Sequence, residues 1–332
     1  MHSPPLLRWT AIGLYCQAGD FYIDPVRPVK RAIITHAHSD HARMGMRQYI
    51  THNDTLPILR LRLGSDISVV GLSYGETRSI NGVHISLHPA GHIIGSAQVR
   101  VNYGGEVWVV SGDYHTIASS YCTPFEPIPC HTFITESTFG HPTFEWAEES
   151  SLYQEIKHWI GTNRQNGDAS VLIAYALGKA QRLLCALTPD EKNIYVHNSI
   201  QTIQDCLQPH HPHLPLSTRI TSQTKASQLE GQIIIAPPGI LKGNWMQKLP
   251  RHKSAYMTGW AQDAQRSSNL STATAFALSD HADFGGLVKA VQATGASRVL
   301  TYHGYDVSFA SHLSSLGIES SALHPNHTPT LF

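Results

Sequence analysis

Short apolar runs separated by turn-forming residues dominate the first third of the chain. Residues 83–88, 97–101 and 106–110 combine β-branched, aromatic and alternating polar positions, a composition typical of strands. Gly104 and Gly105 join the last two runs and favour a tight hairpin turn. The pattern therefore predicts a meandering sheet in this region.

Further along, strand-like runs alternate with helical patterns. Residues 132–135 form an apolar run that ends at Glu136, and apolar residues then recur with helical spacing from Leu152 to Ile160. Later apolar runs that alternate with helical segments are 171–174, 194–196 and 233–236. This alternation predicts a parallel sheet and an α/β fold class for the chain.

Composition narrows the class of protein. The 332 residues are enough for about two domains, and 41% of them are hydrophobic, as in globular proteins. Because no apolar run approaches the roughly 20 residues of a membrane span and no signal peptide is recognisable, we predict a cytoplasmic protein with no membrane contact. The five cysteines form no Cys-x-x-Cys pair and are expected to be reduced packing residues. The 24 Lys and Arg balance the 24 Asp and Glu, so charge alone indicates no nucleic-acid partner.

The densest chemical signal follows the apolar run 31–35. His36, His38, Asp40 and His41 place four metal-binding side chains within six residues, on a loop that leaves a predicted strand. Imidazole and carboxylate suit zinc, and a site without thiolate leaves the cation Lewis-acidic and open to water. The cluster therefore predicts half of a catalytic two-metal site.

Three later residues can complete that site, because each follows a strand-like run. They are His92, Asp113 and His303. Since a carboxylate can bridge two cations, we predict that Asp113 is shared. The set for one metal is His36, His38, His92 and Asp113, and the set for the other is Asp40, His41, Asp113 and His303. With 22 histidines in the chain, His92 or His303 taken alone is better explained as an ordinary polar loop residue, and Asp113 taken alone as a turn or capping residue.

The pattern His-x-His-x-Asp-His with later single His, Asp and His residues resembles the metallo-β-lactamase superfamily. Further motifs resemble its β-CASP nuclease branch: 90–97, 111–114, 135–140, 174–182, 236–239 and 279–283. The resemblance implies an αββα sandwich formed by residues 1–144 and 273–332, with an α/β β-CASP domain inserted at 145–272. It also implies two divalent metal ions, with Zn²⁺ expected and Mn²⁺ as the alternative.

Residues 13–25 and the compact length also resemble bacterial ligase-associated DNA exonucleases, a group of small β-CASP proteins. The resemblance implies DNA as substrate and a functional association with an ATP-dependent DNA ligase and a helicase in DNA repair. His303 leaves RNA open, because RNA-directed β-CASP enzymes usually have histidine there and Artemis-like DNA nucleases usually have valine.

The expected mechanism is hydrolysis of a phosphodiester by a hydroxide that two cations share and activate. Asp40 is essential to it as a metal ligand. The resemblance assigns proton donation to His281, oriented by the carboxylate of Glu136. Asp24 is expected to accept a hydrogen bond from a metal-binding imidazole, although a turn residue before a proline is nearly as good an interpretation.

Gly178, Lys179 and Arg182 open a helix after a strand, where free N–H groups and cations favour an anion. Pattern alone equally allows a helix-ending glycine and solvated charges. With the resemblance, we predict contact with substrate phosphate.

The predicted function is thus a metal-dependent DNA exonuclease acting on single-stranded DNA or DNA ends. Three alternatives remain: an RNA-processing β-CASP ribonuclease, a small-ester hydrolase of the wider superfamily, and an inactive scaffold for ligase or helicase partners. The predicted inserted domain and His281 argue against the second, and the full ligand set argues against the third.

Overall fold

The protein is described here from a computed structural model, which covers residues 5–191, 193–263 and 274–323. The chain divides into two compact units, the first formed by Met1–Pro142 with His281–Phe332 and the second by Thr143–Asp280. The domain limits expected from the resemblance stay a prediction, and the expected limit at 272/273 lies outside the described residues.

The first sheet belongs to the first unit. The loop that follows its fourth strand carries His36, His38, Asp40 and His41 and is called the histidine loop below. The strands of this sheet, in the order of pairing, are β1 (Arg8–Trp9), β2 (Leu14–Cys16), β3 (Phe21–Ile23), β4 (Ala32–Ile33), β5 (Tyr49–His52) and β6 (Val69–Leu72). The strands β3 to β6 are parallel, so their carboxyl ends lie along one edge. Helix α1 (Leu56–Leu63) connects β5 to β6.

The second sheet of the first unit contains the predicted meander. Its strands are β7 (Thr77–Ile80), β8 (Val83–Pro89), β9 (Ala97–Tyr103), β10 (Glu106–Val110), β11 (Thr132–Glu136), β18 (Arg298–Tyr302) and β19 (Glu319–Ala322). The hairpin turn at Gly104 and Gly105 is confirmed, with φ values of 61° and 85° that favour glycine. Strands β8, β10, β11 and β18 run in the same direction, so their carboxyl ends also share one edge.

One hydrophobic core joins these two sheets. Phe21, Ile33 and Ile50 of the first sheet pack in the same cluster as Val99 and Val110 of the second. Burial of each such side chain contributes about 1.5–3 kcal/mol, so this shared core fixes the two sheets on each other.

The other face of the second sheet is covered by helices α5 (Phe284–Thr294) and α6 (Asp306–Ser315). Leu287 and Phe309 of these helices pack with Phe133 and Val299 of the strands. Strand β18 pairs with β11 in parallel. Glu136, at the carboxyl end of β11, therefore lies beside Tyr302, although 166 positions separate the two residues in sequence.

The second unit contains a parallel sheet, as its alternating pattern predicted. Its strands are β12 (Ala169–Ile173), β13 (Ile194–Val196), β14 (Thr218–Arg219), β15 (Ile233–Ala236), β16 (His252–Met257) and β17 (Thr274–Phe276). Its α-helices among the described residues are α2 (Glu149–Gln165), α3 (Lys179–Leu187) and α4 (Asn198–Leu207). Short 3₁₀ helices span Ala226–Gln228, Pro238–Lys242, Met246–Lys248 and Gly259–Gln262.

Both faces of this parallel sheet are buried. Ile233 and Ile235 pack against α2, α3 and α4, whereas Ile234 packs in a separate cluster on the opposite face with Leu229. Successive strand residues point to opposite faces, which explains why the strands are continuous apolar runs. No helix among residues 5–191, 193–263 and 274–323 is both long and apolar enough to cross a membrane.

Candidate metal centre

The strand directions explain how distant residues meet in the first unit. Asp24 and His36 follow the parallel strands β3 and β4, while His92, Asp113 and His303 follow β8, β10 and β18. Each side chain therefore leaves a carboxyl end at one edge of its sheet, and the packed core brings the two edges together.

His36, His38, His92 and Asp113 form the tightest group of metal-binding atoms. One ligand atom from each lies within 4.8 Å of all the others. His38 Nδ1 is 3.1 Å from Nε2 of His36 and 3.1 Å from Nε2 of His92. His36, His92 and Asp113 are buried, with exposed fractions of 0%, 1% and 7%. This is the set that the sequence predicts for one metal.

The second predicted set surrounds the same carboxylate less tightly. His41 Nε2 lies 3.4 Å from Asp113 Oδ2 and 3.5 Å from Asp40 Oδ2. The ring of His303 is 5.8 Å from that of His41, measured between centroids. Asp113 Oδ2 is also 3.5 Å from His36 Nε2, so one carboxylate oxygen faces both sets.

Asp24 orients the imidazoles of His36 and His41 through hydrogen bonds on the side away from the cluster. Its Oδ2 accepts hydrogen bonds from His41 Nδ1 at 2.8 Å and from the hydroxyl of Thr35 at 2.6 Å. The Thr35 oxygen lies 3.1 Å from His36 Nδ1 and can accept a hydrogen bond from the Nδ1–H group. When neutral, both imidazoles therefore carry hydrogen on Nδ1 and present the Nε2 lone pair to the cluster, which is the form that binds a cation.

Burial and neighbouring charges shift the pKa values of this cluster in opposite directions. Burial lowers the pKa of His36 well below its usual value, and the neighbouring His41 lowers it further. Burial also acts against protonation of His41, but Asp113 and Asp24 outweigh it and raise the pKa of His41 well above the usual value. Burial opposes ionisation of Asp113, yet His41 and the other imidazoles hold its pKa well below the usual value.

Imidazoles in their deprotonated form that converge on an ionised carboxylate are the donor set that a divalent cation requires, so a cation would displace the Nε2 proton of His41. The residues present therefore fit the metal ions that the resemblance implies. A carboxylate oxygen shared by two sets also fits a pair of cations better than one.

Glu136 and His281 lie beside this centre. The fully buried Glu136 accepts a hydrogen bond at 2.7 Å from the backbone N–H of Tyr114 and another from the hydroxyl of Thr138. His281 Nδ1 is 2.9 Å from both carboxylate oxygen atoms of Glu136. The other nitrogen, Nε2, lies 4.0 Å from Asp113 Oδ2, and the side chain of His281 is 23% exposed.

The predicted phosphate contacts lie in the second unit, at the start of α3. Gly178 precedes the helix with φ of 92°, so it begins a helix rather than ending one. Lys179 and Arg182 are buried, exposed by 5% and 4%, which excludes the interpretation as solvated charges. Burial lowers the pKa of Lys179 although Asp280 opposes this effect. Contact of these residues with phosphate stays a prediction.

Sequence reasoning missed the residues that hold the site without binding a cation. Thr35 and Thr138 orient His36 and Glu136 through their hydroxyl groups, and Arg62 donates a hydrogen bond to the carbonyl of Ala37 inside the histidine loop. The position of Thr35 directly before His36 was a usable signal. No such signal existed for Arg62, because its contact with Ala37 depends on the fold, which places α1 beside the histidine loop.

The chain is similar to known proteins, in one case over most of its length. A probable DNA ligase of Opitutus terrae is 29% identical over 319 residues, which are 94% of this chain and 30% of that protein. An RNase J-like protein of Methanocaldococcus jannaschii is 25% identical over 181 residues, which are 48% of this chain and 43% of that protein. The chain thus spans less than half the length of these curated relatives.

A solved structure supports the fold independently. A crystal structure of a protein of unknown function from Enterococcus faecalis V583 superposes with a TM-score of 0.61, covering 90% of this chain and 80% of that one. At 12% identity, this likeness concerns the fold alone. No protein-family model matches the chain.

Proposed function

We propose that this chain is a metal-dependent DNA exonuclease, because its motifs resemble the β-CASP nuclease branch of the metallo-β-lactamase superfamily and its relatives include a probable DNA ligase and an RNase J-like protein. It hydrolyses phosphodiester bonds of single-stranded DNA or of DNA ends. One observation carries the proposal: the Glu136–His281 pair lies against Asp113, which is itself part of the group with His36, His38 and His92. A plain metal site would need no such acid–base pair.

The proposal includes the fold of that branch. The first unit is an αββα sandwich, which the shared core of its two sheets and the helices α5 and α6 support. The second unit is the inserted β-CASP domain, which its place in the sequence between the two parts of the first unit supports. The residues that bind two divalent cations, with Zn²⁺ expected and Mn²⁺ as the alternative, are His36, His38, Asp40, His41, His92, Asp113 and His303.

When bound, the cations supply Lewis acidity towards the phosphodiester and lower the pKa of water. His281 supplies the proton that the leaving oxygen needs as its bond to phosphorus breaks. Glu136 holds the Nδ1 hydrogen of His281, so the nitrogen that can deliver a proton towards the centre is Nε2. The partial exposure of His281 allows solvent to restore that proton.

The substrate test uses DNA and RNA oligonucleotides of the same sequence, each labelled at either end. We expect the DNA to be shortened progressively, with one label giving a ladder and the other giving a terminal product. His281→Ala should lower kcat roughly 100-fold or more, the usual contribution of a general acid. His210→Ala, at an exposed histidine of the second unit, is the matched control and should retain activity.

An RNA-processing ribonuclease is the second candidate, because the RNase J-like relative carries an RNA-directed name and His303 matches the residue usual in RNA-directed members. Faster cleavage of the RNA oligonucleotide than of its DNA counterpart would replace the DNA proposal with this one. Metal content of the same purified sample, measured by mass spectrometry, identifies the native cation.

The proposal that the substrate is DNA includes a role in DNA repair, alongside an ATP-dependent ligase and a helicase. The relative from Opitutus terrae supports it, because the matched 319 residues lie in a protein named as a probable DNA ligase. Co-purification of ligase and helicase with the tagged chain from its own cells tests the association. Recovery of neither protein, in a preparation that retains nuclease activity, would contradict it.

A further inference from the structure

Four charged side chains of the second unit form a compact group, which we call the buried charge cluster: Glu149, Lys179, Arg182 and Asp280. Arg182 and Asp280 are each 4% exposed, and Glu149 is half-buried. An isolated guanidinium would be strongly destabilised at this depth, so its carboxylate partners are what make its burial possible.

Arg182 is the centre of this cluster. Its Nη1 donates hydrogen bonds to the carbonyl of Ser279 and to Asp280 Oδ1, the latter at 3.2 Å. Its Nη2 donates to Glu149 Oε1. Lys179 Nζ lies 3.9 Å from the other oxygen of Asp280. Arg182 therefore forms hydrogen bonds with both the main chain and a side chain of the segment 279–280.

That segment leads directly into the candidate proton donor. Asp280 is followed by His281, whose Nδ1 is 2.9 Å from Glu136. On the other side of His281, the N–H of Ala282 donates to the carbonyl of Tyr114 at 2.8 Å. The backbone is thus anchored immediately before and immediately after the imidazole.

We propose that Arg182 is a positioning residue for His281. By fixing Ser279 and Asp280, it fixes the backbone from which the imidazole reaches Glu136. The proposal rests on the proposed function, in which His281 donates the proton. It differs from direct contact of Arg182 with substrate phosphate, because the groups that Arg182 binds belong to the protein itself.

Positioning has a distinct kinetic consequence. A proton donor acts only within hydrogen-bond reach of the leaving oxygen, and a displacement of about 1 Å can lower a rate roughly 100-fold. Loss of the Arg182 anchor should therefore lower kcat and leave substrate binding nearly unchanged. Loss of a phosphate contact should instead weaken binding and make it less dependent on salt.

A double-mutant cycle tests the proposal with the metal-loaded chain of 332 residues. Asp280→Asn keeps the shape of the side chain and removes its charge, and Arg182→Lys keeps the charge and removes the planar fork. Each is measured alone and combined with His281→Ala. We expect each to lower kcat roughly 10- to 100-fold alone and to have almost no further effect once His281 is absent.

A second measurement does not depend on catalysis. The Kd for a fluorescein-labelled single-stranded DNA oligonucleotide, measured by fluorescence anisotropy with chelator present, should change less than about twofold in both variants. Asp168→Asn is the matched control, because it breaks another ion pair of the same unit, with Arg251, that lies far from residue 281 in sequence. It should leave kcat unchanged even if it lowers the Tm.

The outcomes separate this proposal from the proposed function. Additive losses of kcat in the His281→Ala background, or a large rise in Kd, would overturn the positioning role and leave the proton-donor role intact. An unchanged kcat in His281→Ala alone would overturn the proposed function and this proposal with it. If Arg182→Lys does not fold, Asp280→Asn decides between the same outcomes.

Discussion

Asp24 holds two of the predicted metal-binding imidazoles in the form that a cation needs. It accepts the Nδ1 hydrogen of His41 directly and reaches His36 through the hydroxyl of Thr35. Its backbone has φ of 44°, in the left-handed region that only a few non-glycine residues adopt, Asp and Asn among them. This residue therefore combines a strained backbone with two orienting hydrogen bonds, a combination that points to function.

Replacing Asp24 with asparagine should weaken metal binding roughly 10- to 100-fold, the usual effect of losing a hydrogen-bond partner behind a ligand. Asparagine tolerates the same φ but places an N–H donor against either His41 or Thr35. Competition with a zinc chelator measures the affinity. Asp20→Asn is the control, since Asp20 also has positive φ, at 52°, but contacts Tyr15 and Lys30 instead. Equal affinities in the two variants would contradict the orienting role.

Two thiols provide a pH prediction at the same scale. Burial raises the pKa of Cys130 to about 11 and that of Cys185 to about 11. At pH 8 only about one in a thousand of these thiols is ionised, so we expect slow labelling by a disulfide reagent, with a rate that rises until about pH 11. The stability gained from the neutral thiols is present below the unfolded pKa and is lost as pH rises from about 9 to 11.

The labelling rates are compared with those of the urea-unfolded chain, and Cys130→Ser and Cys185→Ser assign them to each thiol. Native rates equal to the unfolded rates at pH 8 would show that burial does not protect these side chains.

At the scale of elements, the site depends on strands that end at the same edge. Asp113 is reached from β10 through Gly112, which has φ of 58°. A Cβ atom added there would lie 2.8 Å from Thr35 Cβ, so the turn passes as close to the histidine loop as glycine allows. Gly112 thereby sets the distance between Asp113 and the imidazoles.

Gly112→Ala should lower both the stability and the metal affinity. The positive φ alone costs about 1–2 kcal/mol, and the clash with Thr35 adds to it. Gly105→Ala is the control, because Gly105 has φ of 85° but no atom within 4 Å of the added Cβ. Urea unfolding and chelator competition measure the two effects. If the two variants bind metal equally well, the close approach to Thr35 is not what places Asp113.

The sequence predicted these elements unevenly, for physical reasons. The runs at 83–88, 97–101 and 106–110 became β8, β9 and β10, because strand composition and the glycine hairpin agreed there. The run at 31–35 became only the two-residue strand Ala32–Ile33. After Ile33 the backbone leaves the strand and forms the loop that carries His36. The strand preference of residues 34 and 35 is therefore not realised.

At the scale of the whole molecule, the first unit is assembled from both ends of the chain. The parallel pairing of β11 with β18 joins Thr132–Glu136 to Arg298–Tyr302. A sequence pattern cannot give such a pairing by itself, because it depends on which strands share a core. The motifs predicted candidate residues for the chemistry, whereas the supporting contacts of Thr35, Thr138 and Arg62 depend on the fold.

Removal of metal should destabilise the first unit selectively. Cations that bind only the folded state stabilise it by about 4 kcal/mol at a thousandfold excess over Kd. We expect chelator to increase hydrogen exchange in the loops that follow β4 and β10, and to leave β12 and β15 unchanged. Asp113→Asn should make the chelator effect much smaller. Equal increases of exchange in both units would contradict a metal site confined to the first.

The backbone at His303 limits how this protein can be redesigned. Its φ is 60°, and Gly304 follows with φ of 65°. A β-branched residue is sterically disfavoured at such an angle, whereas asparagine tolerates it. Exchange of His303 for valine, the obvious route to alter preference for one nucleic acid over another, would therefore first disturb the main chain. Engineers of substrate choice at this position should begin with His303→Asn and redesign residues 303–304 together.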